Sequence, residues 1–197
     1  MLLDIVILPS TKERRRLGLF AKQLSKRYKA RYIVDNKNLI PHISLYHFRT
    51  STTKLKIIEK AVKKAIGSKK HLSIEGKLIH KGRYSIELIL RKTEALRLLN
   101  KSILRYCALF RTGVMPNTFE QKMTKQVKKA IRDYGTVGTV INFEPHVTLL
   151  ADFKDKQVET RKGIIGTYRV KFIAKEVAIA EVNSWYQVTR IIKRLRI

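Results

Sequence analysis

Two five-residue stretches of the chain read almost alike: Pro41-His42-Ile43-Ser44-Leu45 and Pro145-His146-Val147-Thr148-Leu149. With four prolines and five histidines in 197 residues, one Pro-His pair is expected about 0.1 times, so two copies with matching continuations lie well outside composition. Each stretch alternates with the two-residue period of a β-strand. His42 and Ser44 therefore share a face, as do His146 and Thr148, while Ile43, Leu45, Val147 and Leu149 face a core. Two such strands, side by side or across a cleft, bring two imidazoles and two hydroxyls into one pocket.

Two histidines can divide acid and base duties, because an imidazole titrates near neutrality and one can accept a proton while the other donates. Hydroxyls two residues further on offer donors to the oxygens of a tetrahedral anion. That equipment suits in-line displacement at phosphorus, where charge spreads over non-bridging oxygens. No metal and no cofactor is called for. Neither histidine is accompanied by His-x-x-x-His, Cys-x-x-Cys or clustered carboxylates at ligand spacing.

The paired His-x-(Ser/Thr)-x tetrads, His42 to Leu45 and His146 to Leu149, resemble the signature of the 2H phosphoesterase superfamily, and most of all its branch of 2′-5′ RNA ligases and RNA 2′,3′-cyclic phosphodiesterases. A short apolar strand ending at Pro9 and the segments Ile40–Tyr46 and Phe143–Leu149 support the resemblance, which covers essentially the whole chain. It implies an α+β, bilobal fold, two antiparallel sheets flanking a central groove with helices outside, and a metal-free site in that groove. It implies His42 and His146 as the acid-base pair, with Ser44 and Thr148 binding phosphate. In the family's usual assignment the second-motif histidine is the base during hydrolysis and the first is the acid; the symmetry of the tetrads gives no independent reason to choose. The substrate class implied is RNA or a nucleotide carrying a cyclic phosphate. Two alternatives stay open: a phosphodiesterase of small 2′-5′-linked or cyclic nucleotides, and a non-catalytic RNA-binding protein on the same fold.

The chain is long enough for one domain of two lobes, residues 1–197 read as a single unit without a linker. Its 43 Lys and Arg against 15 Asp and Glu give a net charge of +28, which points to a polyanionic partner. Basic residues concentrate at positions 12 to 31 and again at Lys122, Lys125, Lys128, Lys129 and Arg132, two stripes suited to a phosphate backbone. The single cysteine, Cys107, fits a core thiol and a reducing cytoplasm. Met1 to Leu8 is apolar but short and carries Asp4, so it reads as a strand and not a signal peptide. No run reaches membrane-spanning length, and no segment suggests an obligate protein partner.

Periodicity and capping residues predict strands at 2–8, 40–47, 71–79 and 84–90, and helices from Ser10 or Thr11 to Lys29, 53–66 with Gly67 as stop, and 93–110. A further helix is expected from a Thr118/Gln121 capping box to before Gly135, then a mobile loop over 135–142. The remainder is expected as a helix or irregular segment over 154–165 and strands at 169–181 and 186–195. Tyr46 continues the face of His42 and Ser44, where it is equally a base-stacking residue or a sheet-surface tyrosine. His47 has the opposite parity and is expected outside the pocket, with His71 and His80. Trp185 and Tyr186, at an expected strand turn, read as aromatic packing at a sheet end in preference to a gate on the cleft.

Overall fold

The structure, a computed structural model, describes residues 1–67, 71–82, 84–116, 122–153 and 163–197. Strand β1 (Leu2–Leu8) is apolar at every position except Asp4. A continuous apolar run in place of alternation is what a strand covered on both faces requires, and β1 sits inside a four-stranded sheet of order β3-β1-β8-β9. Its neighbours are β3 (Ile43–Arg49) and β8 (Glu176–Val182), and β8 pairs in turn with β9 (Val188–Arg196), all pairings antiparallel. Sequence-distant ends thus share one sheet. The second sheet has the order β2-β6-β5-β4-β7, again antiparallel, from β2 (Ala30–Ile33), β4 (Leu72–Lys81), β5 (Ser85–Leu90), β6 (His146–Phe153) and β7 (Gly163–Ala174).

The helices follow their caps. Ser10 accepts from Glu13 N to open α1 (Thr11–Ser25), which buries Leu17 and Ala21. Gly67, at φ 57, ends α2 (Leu55–Ile66). Thr93 accepts from Leu96 N and starts α3 (Glu94–Cys107), whose Leu96, Leu99, Ile103 and Cys107 form its buried stripe. These residues join Leu3, Ile5 and Ile7 of β1 and Ile74, Ile86, Leu88 and Leu149 of the second sheet in one core. The opposite face of β1 packs Val6 and Leu8 against Ala178, Ala180 and Val188.

Several expectations change. The first helix stops at Ser25, and the chain to Ile33 becomes the edge strand β2, too short and half-exposed to announce itself by alternation. Thr118 and Gln121 lie outside the described residues; the described helix α4 (Lys125–Tyr134) has Thr124 as its cap, accepting from Val127 N. Residues 135–142 contain a short helix, α5 (Gly138–Ile141), where a loop was expected. The part of the expected 154–165 segment that is described, from Gly163, is strand, and the expected strand at 169–181 is two, broken at Lys175 between different sheets.

Candidate active site

The two sheets face a groove of about 770 Å³, a volume in the range of small-ligand sites. His42 and Ser44 reach it from the first sheet, His146 and Thr148 from the second. The local geometry of the two motifs is the same. His42 Nδ1 lies 2.7 Å from Ile40 O and His146 Nδ1 lies 2.8 Å from Glu144 O, each two residues back across a proline. A carbonyl can only accept, so each Nδ1 carries the hydrogen and each Nε2 is the atom that takes or gives a proton. The carbonyl-bearing residues precede proline, which restricts their backbone to extended geometry. Ile40 is further tied by its N–H to Val188 O, and Pro145 O accepts from Leu90 N.

Each motif strand then carries a β-bulge directly after its hydroxyl residue. Val6 pairs with Ser44 but Ile5 pairs with Tyr46, leaving Leu45 as the extra residue. Glu87 pairs with Thr148 but Ile86 pairs with Leu150, leaving Leu149 extra. An extra residue reverses the alternation beyond it. In β3 this turns Tyr46 into the core, fully buried, its ring stacked on Phe48 at 4.8 Å and its hydroxyl donating to Tyr134 O at 2.7 Å. Tyr46 therefore has no ring face open to a nucleotide. The same reversal brings His47, expected outside, onto the groove wall. His71 and His80 are not among the groove residues.

The bulge carbonyl is not left bare. Asn100, buried on α3, donates through Nδ2 to Leu45 O at 2.7 Å and to Thr139 O at 3.1 Å, tying the first motif to the α5 segment. That segment forms another wall through Thr136, Val137, Gly138 and Thr139. Trp185 and Tyr186, for which packing at a sheet end was favoured over a place at the cleft, line the groove from the β8–β9 loop. Asn183 Oδ1 accepts from Trp185 N and Gln187 N, and Tyr186 sits at φ 61 with its hydroxyl donating to Pro116 O. The ring centroid of Trp185 lies 6.3 Å from that of Tyr84 and 6.1 Å from that of Tyr32.

Two carboxylates complete the electrostatics. Asp4 is fully buried, 3.0 Å from His47 Nε2 and 3.8 Å from His42 Nε2. Glu87, half-buried, lies 3.8 Å from His146 Nε2 and accepts from Ser85 Oγ at 2.6 Å. Burial pushes His42 below its ordinary value of 6.5; Asp4 and the Ile40 carbonyl oppose the shift, while His47 and His146 add to it. Thr139 Oγ1 and Gln187 Oε1 are buried in the groove walls with no hydrogen-bond partner among the described residues. Among the described residues no group of three or more His, Cys, Asp and Glu side chains is arranged to hold a metal ion.

Solved structures share this arrangement of sheets and helices. The protein TT0787 of Thermus thermophilus superposes with a TM-score of 0.65 at 12% identity, over 100% of this chain and 97% of that one. The chain has the 2H phosphoesterase fold. Two further structures with this fold are Escherichia coli LigT complexed with NADP+ (TM-score 0.58, 12% identity, 98% and 96% covered) and the MHV ns2 PDE domain (0.54, 15%, 100% of both). No family model and no curated protein matches the sequence. In the 2H fold of this chain the groove between the sheets is where the two tetrads meet, and no described helix is long and apolar enough to cross a membrane.

Proposed function

We propose that the protein is a phosphodiesterase that opens the 2′,3′-cyclic phosphate at an RNA end without a metal ion, and that ligates when an RNA 5′-hydroxyl takes the place of the attacking water. The observation that carries this reading is the pair of histidines from opposite sheets, each with Nδ1 fixed by a backbone carbonyl and each followed by a groove-lining hydroxyl. One imidazole deprotonates water as the other protonates the departing ribose oxygen, and Ser44 and Thr148 hold the equatorial phosphate oxygens. Escherichia coli LigT, with the same fold, has been solved with 3′-AMP and with phosphate, which supports a nucleotide phosphate as the class of ligand.

The aromatic wall supplies what Tyr46 does not. Trp185 and Tyr84 line the groove and offer aromatic surface to a base. The single cysteine and the net charge of +28 are consistent with an RNA substrate in a reducing compartment. The test is turnover, in excess chelator, of an RNA bearing a terminal 2′,3′-cyclic phosphate, with the product phosphate mapped. His42→Ala and His146→Ala are each expected to lose about 10²- to 10⁴-fold, the usual contribution of a general acid or base. An inactive parent that binds RNA as tightly as both variants would leave only the RNA-binding reading.

A further inference from the structure

The face of the second sheet that carries His146 and Thr148 does not end at the groove. Residues directly opposed on neighbouring antiparallel strands project from the same face. From His146 the register runs to Ile89 on β5, Leu78 on β4 and Thr167 on β7; from Thr148 it runs to Glu87, His80 and Ile164. Two rows of side chains thus start at the second motif and cross the sheet to its β7 edge. Glu87 lines the groove, but His80 and Ile164 beyond it do not. There Leu78 is 40% and Ile164 64% exposed, and His80 is half-buried. Exposed Arg169 and Lys171 continue this face along β7, while Tyr168 and Val170 turn the other way into the core. Glu75 opposes Lys171. Exposed apolar surface rimmed by polar residues marks a place where something docks.

The chemistry of the groove gives this face an occupant. In displacement at phosphorus the attacking and leaving oxygens lie roughly in line, on opposite sides. Tyr84 and Trp185 stand at the Ser85 end of β5, and the open rows depart further along that strand, from Glu87 and Ile89. A cyclic nucleotide with its base at the aromatic wall therefore turns the opposite side of its phosphorus toward the open rows. We propose that the open face over β4 and β7 docks a second RNA strand, the one whose 5′-hydroxyl attacks in ligation. This rests on the phosphodiesterase reading above. In the step, the 5′-hydroxyl oxygen bonds to phosphorus and its proton passes to one motif imidazole. A bond from phosphorus to a ribose oxygen breaks, and that oxygen takes a proton from the other imidazole. Bases of the incoming strand lie on Leu78, Ile164 and the ring of His80, and Arg169 and Lys171 meet its phosphates. Water needs no such surface, so hydrolysis proceeds without it.

The probe is an RNA octanucleotide with a 5′-hydroxyl, a blocked 3′ end and 4-thiouridine at its first position. Irradiated with the full-length protein, it is expected to cross-link to β4 or β7, the attachment located by mass spectrometry. The yield is expected to fall in the triple variant Leu78→Ser, His80→Ala, Ile164→Ser. Cross-links confined to other elements would overturn the proposal. This readout needs no turnover, so an inactive parent counts against the phosphodiesterase reading and not against this one.

Ligation and hydrolysis are then compared on an RNA bearing the cyclic phosphate, with the plain octanucleotide titrated in. In the triple variant the octanucleotide concentration for half-maximal ligation is expected to rise about tenfold, within the range of one lost base contact, with hydrolysis in its absence within about twofold of the parent. Ligation and hydrolysis falling together would overturn the proposal. So would a parent that hydrolyses but never joins the octanucleotide, which leaves the phosphodiesterase reading intact. A dimer in solution that Ile164→Arg dissociates would give the face to a second copy of the chain, and would overturn it as well.

Discussion

The Tyr46 hydroxyl donates to Tyr134 O across 2.7 Å inside the core, at the point where α4 ends and the groove wall begins. Tyr46→Phe keeps the ring on Phe48 and removes only that bond, so it is expected to cost about 1 kcal/mol while leaving KM for the cyclic phosphate unchanged. Urea denaturation midpoints and steady-state kinetics check the two halves; a raised KM with unchanged stability would return the ring to the substrate. At this scale the sequence was informative where residue type and spacing recur. His42, Ser44, His146 and Thr148 all meet the groove from a tetrad that appears twice. Asp4 had a signal, a lone charge inside an otherwise apolar strand. Glu87 had none, because a glutamate in an alternating strand is the ordinary solvent-facing choice. Cys107 is buried, its thiol pushed up to about 12 by desolvation, in keeping with the expected core role.

The elements hold the site through exceptions to their own periodicity. Strict alternation over β3 places Tyr46 in the groove and His47 out of it; one unpaired residue, Leu45, exchanges them. Nothing in the side chains of Leu45 or Leu149 marks a bulge, because a bulge is set by pairing with the neighbouring strand, and that partner is distant in sequence. Helices were more legible because their stops are local: Ser10, Thr93 and Gly67 act where their chemistry indicates. Strand β2 and the break at Lys175 depend on which sheet edge receives the chain. The element that secures the first bulge is α3, through Asn100 to Leu45 O and Thr139 O. Asn100→Leu leaves two buried carbonyls unpaired, and at about 1 to 3 kcal/mol for a buried group so orphaned it is expected to lower stability by at least about 2 kcal/mol. It is also expected to lower kcat, since the bulge positions His47 and the α5 wall. Thermal melts together with kcat check this; full stability would mean that other donors reach those carbonyls.

Over the whole molecule, charge and groove divide the work of recognition. The groove of about 770 Å³ takes a phosphate, a ribose and a base or two, while most of the net charge of +28 lies outside it. On α4 the residues Lys125, Lys128, Lys129 and Arg132 are exposed, and the chain leaves that helix through Gly135 directly into groove-lining Thr136 and Val137. An RNA whose last phosphate sits between the histidines can therefore continue over basic surface, each phosphate contact releasing counterions. A mononucleotide cyclic phosphate uses the groove alone. The two substrates should differ in salt response. For single strands log K falls with log salt by about 0.7 per phosphate neutralised, so an octanucleotide touching three or four cations beyond the groove is expected to show a slope about 2 to 3 units steeper than the mononucleotide. Replacing Lys125, Lys128 and Lys129 with Gln should remove up to about 2 units of that difference and leave mononucleotide turnover unchanged. Equal slopes for both substrates would mean that the basic surface contributes nothing to RNA capture, and would favour a small nucleotide as the natural ligand of the groove.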